Sequence, residues 1–137
     1  MTQHPVCCLP TDTVSKAAQL MKAEDVGSIP VIEDEQTMKL IGIVTDRDLA
    51  LQVVANEHDA RSTQVADVMT YDVITCRTGD DVQKAVDAMS QNQLRRMPVI
   101  DGEHRIVGII SQADVATRVE RSEEVAEMVK EISQPTV

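Results

Sequence analysis

The chain has 137 residues, enough for one ordinary domain or two very small ones. A formal net charge of −10 with no basic block argues against a nucleic-acid or anionic-membrane partner. Hydrophobic residues make up 42% and aromatics 1%, so the core must be aliphatic, and stacking platforms for single-stranded nucleic acid are missing.

In chain order, residues 5–9 form a short strand candidate, and Asp12 stands where a helix N-cap belongs. Val14, Ala17, Ala18 and Met21 follow at helical spacing. Residues 28–32 read as a second strand. A polar turn over 33–39 leads to LIGIVTDRDL at 40–49, a β-branched run marked by Gly42 that ends in T-x-x-D. That motif has the form of a capping box and predicts a helix over 48–55. Residues 56–68 connect, and a short helical turn is predicted over 65–69.

The order then repeats. Residues 73–77 are a strand candidate and Asp80 an N-cap; Val82, Ala85, Val86 and Met89 form the helical stripe. Residues 96–100 are a strand, the Asp101–Gly102 turn spans 101–105, and IVGIISQADV occupies 106–115 before a helix over 114–121. Met1-Thr2 aligns with Met69-Thr70, Cys8 with Cys76, Pro30 with Pro98, Gly42 with Gly108, Thr45 with Ser111 and Asp48 with Asp114. The first copy is longer by two residues, confined to the polar turn. A last acidic amphipathic helix is predicted over 122–132, with Val125, Met128, Val129 and Ile132 on one face.

The fold class that follows is α/β (α+β). Two β-α-β-β-α units are related by an approximate two-fold axis, each a three-stranded mixed sheet with two helices. The domains are residues 1–58, a linker with a helical lead-in at 59–68, a second repeat at 69–121, and an acidic tail at 122–137.

The T-x-x-D element, present twice, is a place where a small molecule could be held twice. A helix N-terminus favours phosphate, its hydroxyl can donate to a phosphate oxygen, and the carboxylate can accept both ribose hydroxyls. Arg95 and Arg96 could neutralise a phosphate; their counterparts are Gly27 and Ser28, so the Arg-bearing site is the better anion site. The blander reading is a plain capping box that satisfies orphan backbone N–H groups. An arginine pair is more often solvated than a phosphate clamp. Asp46 and Arg47 read as surface residues, and Gly42 and Gly108 as glycines that permit close strand packing.

The V-x-x-A-x-x-x-M helices, the P-V-I strands, the lead V-M-T at 68–70, and G-I-V-T-D-R-D with G-I-I-S-Q-A-D make the chain similar to a tandem pair of CBS domains, often called a Bateman module. The resemblance covers nearly all of residues 1–121. It implies a regulatory, non-enzymatic module that binds an adenosine-containing ligand, such as AMP, ADP, ATP or S-adenosylmethionine, in clefts between the repeats. It requires no cofactor. It also implies a homodimer and a regulated partner protein or attached domain. One cleft would join Thr70 and Ile74 to Ile43, Thr45 and Asp48. The other would join Thr2 and Val6 to Arg96, Ile109, Ser111 and Asp114.

Three cysteines, with no signal peptide and no long apolar stretch, point to free thiols in a reducing cytoplasmic protein. His4 and Cys8 would share one face of an extended strand, a weak metal or disulfide hypothesis. Buried inert cysteine is the commoner state, and no C-x-x-C or H-x-x-x-H spacing supports zinc. No nucleophile–base pair or coupled carboxylates recommend catalysis. Two readings remain: a sensor of an adenosine-containing ligand, and a ligand-free dimerisation or docking module.

Overall fold

A computed structural model of the protein describes residues 1–114. The helix predicted over 114–121, beyond its first residue, and that over 122–132 lie outside the described residues. The chain forms two compact units, one of Val6–Val73 and one that joins Met1–Pro5 to the chain from Ile74. The second is called the split unit below.

The elements are β1 (Thr2–Gln3), α1 (Val14–Glu24), β2 (Ser28–Ile32), β3 (Leu40–Thr45), α2 (Asp46–Asp48), β4 (Cys76–Arg77), α3 (Val82–Gln91), β5 (Arg96–Ile100) and β6 (Ile106–Ser111). A π-helical stretch, Leu49–Val54, continues α2, and a 3₁₀ turn forms at Val65–Asp67.

In the Val6–Val73 unit, β2 and β3 form the predicted antiparallel hairpin, with Ile29 opposite Val44 and Val31 opposite Gly42. Ile29, Val31 and Val44 turn to the core, where they meet Val14, Ala17 and Met21 of α1. Pro30 and Ile43 share the opposite face, because side chains alternate along a strand. Burial of each such aliphatic side chain is worth ~1.5–3 kcal/mol, which lets a core without aromatics hold. The predicted stripe on α1 needs one correction: Ala18 is exposed, and Leu20 packs against the core instead.

The strand predicted over 5–9 contracts to a single parallel bridge between Cys8 and Val31. Pro5 and Pro10 flank it and cannot donate to a ladder. Cys8 N still donates to Pro30 O at 3.0 Å, and Ile32 N to Cys8 O at 3.0 Å. On the far side of β3, Thr70 bridges Ile43 in both directions, at 2.8 and 2.9 Å. The linker is bound into this unit. Val65 N donates to Asp12 O at 2.8 Å, and the Val65 side chain is fully buried.

The split unit repeats the scheme with a four-stranded sheet in the order β1-β6-β5-β4. β5 and β6 are antiparallel, β4 joins β5 in parallel, and β1 joins β6 antiparallel. The strand predicted over 73–77 is therefore only Cys76–Arg77. The predicted three-stranded sheet gains a fourth position, filled here by the start of the first repeat. A bulge recurs at equivalent places, between Val31 and Ile32 and between Val99 and Ile100.

The helix caps shift by one residue. Thr13 and Asp81, not Asp12 and Asp80, are the N-caps of α1 and α3, accepting from Lys16 N and Lys84 N. Asp12 and Asp80 instead close the preceding turn: Asp12 Oδ2 accepts from Leu9 N and Asp80 Oδ2 from Arg77 N, each at 2.8 Å. The helix predicted over 48–55 begins two residues earlier and changes register. Ala55 N donates to Ala50 O, and His58 N to Val53 O, both five residues back at 2.9 Å.

Candidate functional site

The residues of interest gather on the sheet face turned away from each core. In the split unit, Met97, Val99 and Ile110 point into the core. The alternate residues carry the site: Thr2 stands opposite Ile109, Ile109 opposite Pro98, and Ser111 opposite Arg96. The Val6–Val73 unit repeats this with Thr70, Ile43 and Pro30 in line, and Thr45 opposite Ser28. Each group draws on both sequence repeats yet lies inside one compact unit.

Gly42 and Gly108 make these groups possible. A Cβ on Gly108 would stand 2.8 Å from Thr2 O, and one on Gly42 2.9 Å from Thr70 O. A glycine at the centre of a β-branched strand admits the neighbouring backbone, as the sequence reading held.

Both T/S-x-x-D motifs are capping boxes. Asp48 N donates to Thr45 Oγ1 at 3.0 Å, and Thr45 N to Asp48 Oδ2 at 3.0 Å. Asp114 N donates to Ser111 Oγ at 3.1 Å, and Ser111 N to Asp114 Oδ2 at 3.0 Å. Thr70 Oγ1 adds a donation to Asp48 Oδ2 at 3.4 Å, and the Met1 α-ammonium lies 3.6 Å from Asp114 Oδ1. Capping does not exhaust these groups. Each hydroxyl that accepts an amide keeps its own proton to donate, and each carboxylate has lone pairs to spare. Thr45, Asp48, Ser111 and Asp114 are all half-buried rather than sealed.

Of the predicted set, Thr2, Arg96, Ile109, Ser111 and Asp114 come together, as do Ile43, Thr45, Asp48 and Thr70. Ile109 is itself buried, at 4% exposure, whereas Ile43 is half-buried. Val6 and Ile74 each belong to the other compact unit from the group in which they were expected. Arg95 is exposed and immediately precedes β5, and its carbonyl accepts from Gln112 N at 2.9 Å. The same backbone bond in the other unit runs from Asp46 N to Gly27 O at 2.9 Å.

Sequence reasoning did not foresee a pocket of about 310 Å³ in the Val6–Val73 unit, lined by Gln52, Asn56, His58, Ser62, Thr63, Asp67 and Val68. It forms between the π-helical stretch and the linker, and none of the predicted site residues lines it.

The cysteines are chemically quiet. Cys8 and Cys76 are buried, and all three thiols are unpaired by disulfides. Burial raises Cys7 to about 11 and, with the neighbouring Asp12 and Asp80 carboxylates as a lesser cause, raises Cys8 and Cys76 to about 12. His4 takes a left-handed conformation (φ 53°), so the extended strand that would have aligned it with Cys8 does not form. Among the described residues no three metal-ligating side chains cluster, and no helix is long and apolar enough to cross a membrane.

The family model of the CBS domain matches residues 1–55 and again residues 65–121. The chain belongs to the CBS domain family. It is 33% identical, over 100% of its own length and 94% of the relative's, to the CBS domain-containing protein YhcV of Bacillus subtilis. Among solved structures, the CBS pair is similar to an acetoin utilization protein (AcuB) from Vibrio cholerae, with TM-score 0.76 and 30% identity over 98% of this chain and 94% of that one. It is also similar to CBSX2 in complex with AMP, with TM-score 0.71 and 26% identity over 93% and 95% of the two chains.

Proposed function

We propose that this CBS pair is a regulatory, non-enzymatic module that holds an adenosine-containing ligand of the AMP, ADP, ATP or S-adenosylmethionine class. The observation that carries the reading is the assembly of Thr2, Arg96, Ser111 and Asp114 around Ile109 in the split unit. In this reading the Asp114 carboxylate accepts ribose hydroxyls, Ser111 donates to a phosphate oxygen, and the Arg96 guanidinium neutralises it. Thr70, Ile43, Thr45 and Asp48 supply the equivalent groups in the other unit. The CBSX2 complex supports AMP as a first ligand to try. Binding would control a partner protein or an attached domain by shifting the population of the module's states.

The test is thermal unfolding with AMP, ADP, ATP and S-adenosylmethionine, for the native chain, Asp114→Asn and Asp48→Asn. Asparagine retains the cap acceptor and removes the charge. A ligand at 100 times its dissociation constant adds ~2.7 kcal/mol, or several degrees in a chain of this size. A shift that one variant abolishes supports sensing and names the occupied site. No shift with any of the four ligands would favour the second reading.

That second reading, a docking or homodimerising module, has its own observation. Leu51 and Val54 are 46% and 73% exposed on the π-helical stretch. Large apolar side chains grouped on one short element are what an interface uses. Sedimentation of the native chain against Val54→Asp tests it; a dimer that the substitution splits is the supporting result.

A further inference from the structure

The two candidate sites are built on the same backbone but differ in charge. The backbone bond from Gln112 N to Arg95 O in one unit matches that from Asp46 N to Gly27 O in the other. The cross-strand pair Arg96–Ser111 likewise matches Ser28–Thr45. Equivalent positions can therefore be compared side chain by side chain. The split unit offers Arg95 and Arg96 beside neutral Gln112, with one carboxylate, Asp114. The Val6–Val73 unit offers Gly27 and Ser28 with two carboxylates, Asp46 and Asp48, and one arginine, Arg47.

The substitution is also spatial. Asp46 Oδ2 lies 3.0 Å from where a Cβ of Gly27 would stand. Gly27 is the counterpart of Arg95. A carboxylate thus occupies the start of the side chain that, in the other unit, bears a guanidinium. Asp46 Oδ1 also accepts from Arg47 N at 2.8 Å. A phosphate brought to Thr45 would meet the Asp48 carboxylate with no arginine at the Ser28 position to offset it, and Asp46 adds a second negative charge on the neighbouring residue. Like charges repel, the more so where solvent screening is reduced, as beside half-buried Asp48.

We propose that the two sites are sorted by ligand charge: the Thr2–Arg96–Ser111–Asp114 site takes a phosphorylated adenosine ligand, and the Thr45–Asp48–Thr70 site takes an uncharged or cationic one and rejects phosphate. The inference rests on the functional reading above and adds the ligand class of each site. The Asp carboxylates can accept ribose hydroxyls in both. The residues that separate the two sites are Arg96 against Ser28 and Gln112 against Asp46.

The experiment is titration calorimetry on the whole chain with AMP, with adenosine, and with S-adenosylmethionine in the presence of saturating AMP. The variants are Arg96→Ser and the double substitution Ser28→Arg with Asp46→Gln. The native chain is expected to bind one AMP, and then one S-adenosylmethionine without displacing it. Arg96→Ser should weaken AMP about tenfold or more while changing adenosine little, as loss of a charge-assisted bond to phosphate requires. The double variant should gain a second AMP. Two equal AMP sites in the native chain, or an Arg96→Ser chain with undiminished AMP affinity, would overturn the sorting while leaving adenosine-ligand sensing intact. Failure of all three ligands to bind would overturn both.

Discussion

Thr2 lies opposite Ile109 across an antiparallel ladder, and its carbonyl oxygen passes over the bare Cα of Gly108. The start of the chain is thereby stitched to a strand a hundred residues away, by a two-residue strand with little burial of its own. Gly108→Ala would place a Cβ 2.8 Å from Thr2 O and equally close to Met1 Sδ. The side chain could turn aside, but the backbone could not. The expected result is detachment of β1, with a loss of ~1–3 kcal/mol of stability and loss of amide-exchange protection at β1. Gly42→Ala should do the same to the Thr70 bridge, where the approach is 2.9 Å. Unchanged melting and protection in both variants would mean that the close approach is not needed.

The capping boxes give a second prediction. Thr45→Ala removes the acceptor for Asp48 N and should cost about 1 kcal/mol, whereas Thr45→Ser should cost much less. Ser111→Ala should behave alike through Asp114 N. Chemical denaturation measures each. A Thr45→Ala chain as stable as the native one would show that the hydroxyl is held for a ligand and adds nothing to the fold.

The hairpin strands were legible because each is a short apolar run, is bounded by turn residues and occurs twice. β2 and β5 coincide with the predicted 28–32 and 96–100. The caps were missed by one residue because Asp12-Thr13 and Asp80-Asp81 each present two side chains able to cap, and the choice depends on which of them the preceding turn needs. β1 was invisible: two exposed polar residues carry no hydrophobic period, and only Gly108 in the partner strand hinted at a backbone neighbour. The π register of Leu49–Val54 has no pattern in the sequence that sets it apart from an α-helix. For the site, Ser111 with Asp114 and Thr45 with Asp48 could be read as local motifs. Their meeting with Thr2 and Thr70 came only from the family resemblance.

The thiols set an alkaline limit. Burial holds Cys8 and Cys76 protonated to about pH 12, whereas an unfolded thiol loses its proton near 9. Above pH 9 the unfolded chain therefore binds fewer protons than the folded one, and stability falls as pH rises. Cys8→Ala and Cys76→Ala should each flatten that fall, despite a lower stability at pH 7. A disulfide-exchange reagent at pH 7.5 should label these two cysteines slowly in the native state and all three at once in urea. Rapid native labelling of Cys8 or Cys76 would contradict their burial.

The turn before β6 predicts the opposite limb. Asp101 Oδ1 accepts from Glu103 N at 2.9 Å and Arg105 N at 3.0 Å, and Oδ2 from Arg105 Nε at 2.8 Å. The Arg105 backbone bond leads the causes that hold this carboxyl below its ordinary 3.8. In the other repeat the Thr37 backbone bond does the same for Asp34. A folded value below the unfolded one means that this contribution is present above about pH 4 and is lost as pH falls through the folded value. Carbon-detected titration should give midpoints below 3.8 for both residues. Asp101→Asn keeps an acceptor for the two amides but not the charge, so it should reduce the acid dependence of stability while leaving the β5–β6 hairpin formed. An Asp101 midpoint at or above 3.8 would show that the turn's N–H groups do not favour the carboxylate, and that the tight 101–105 turn is held by its backbone alone.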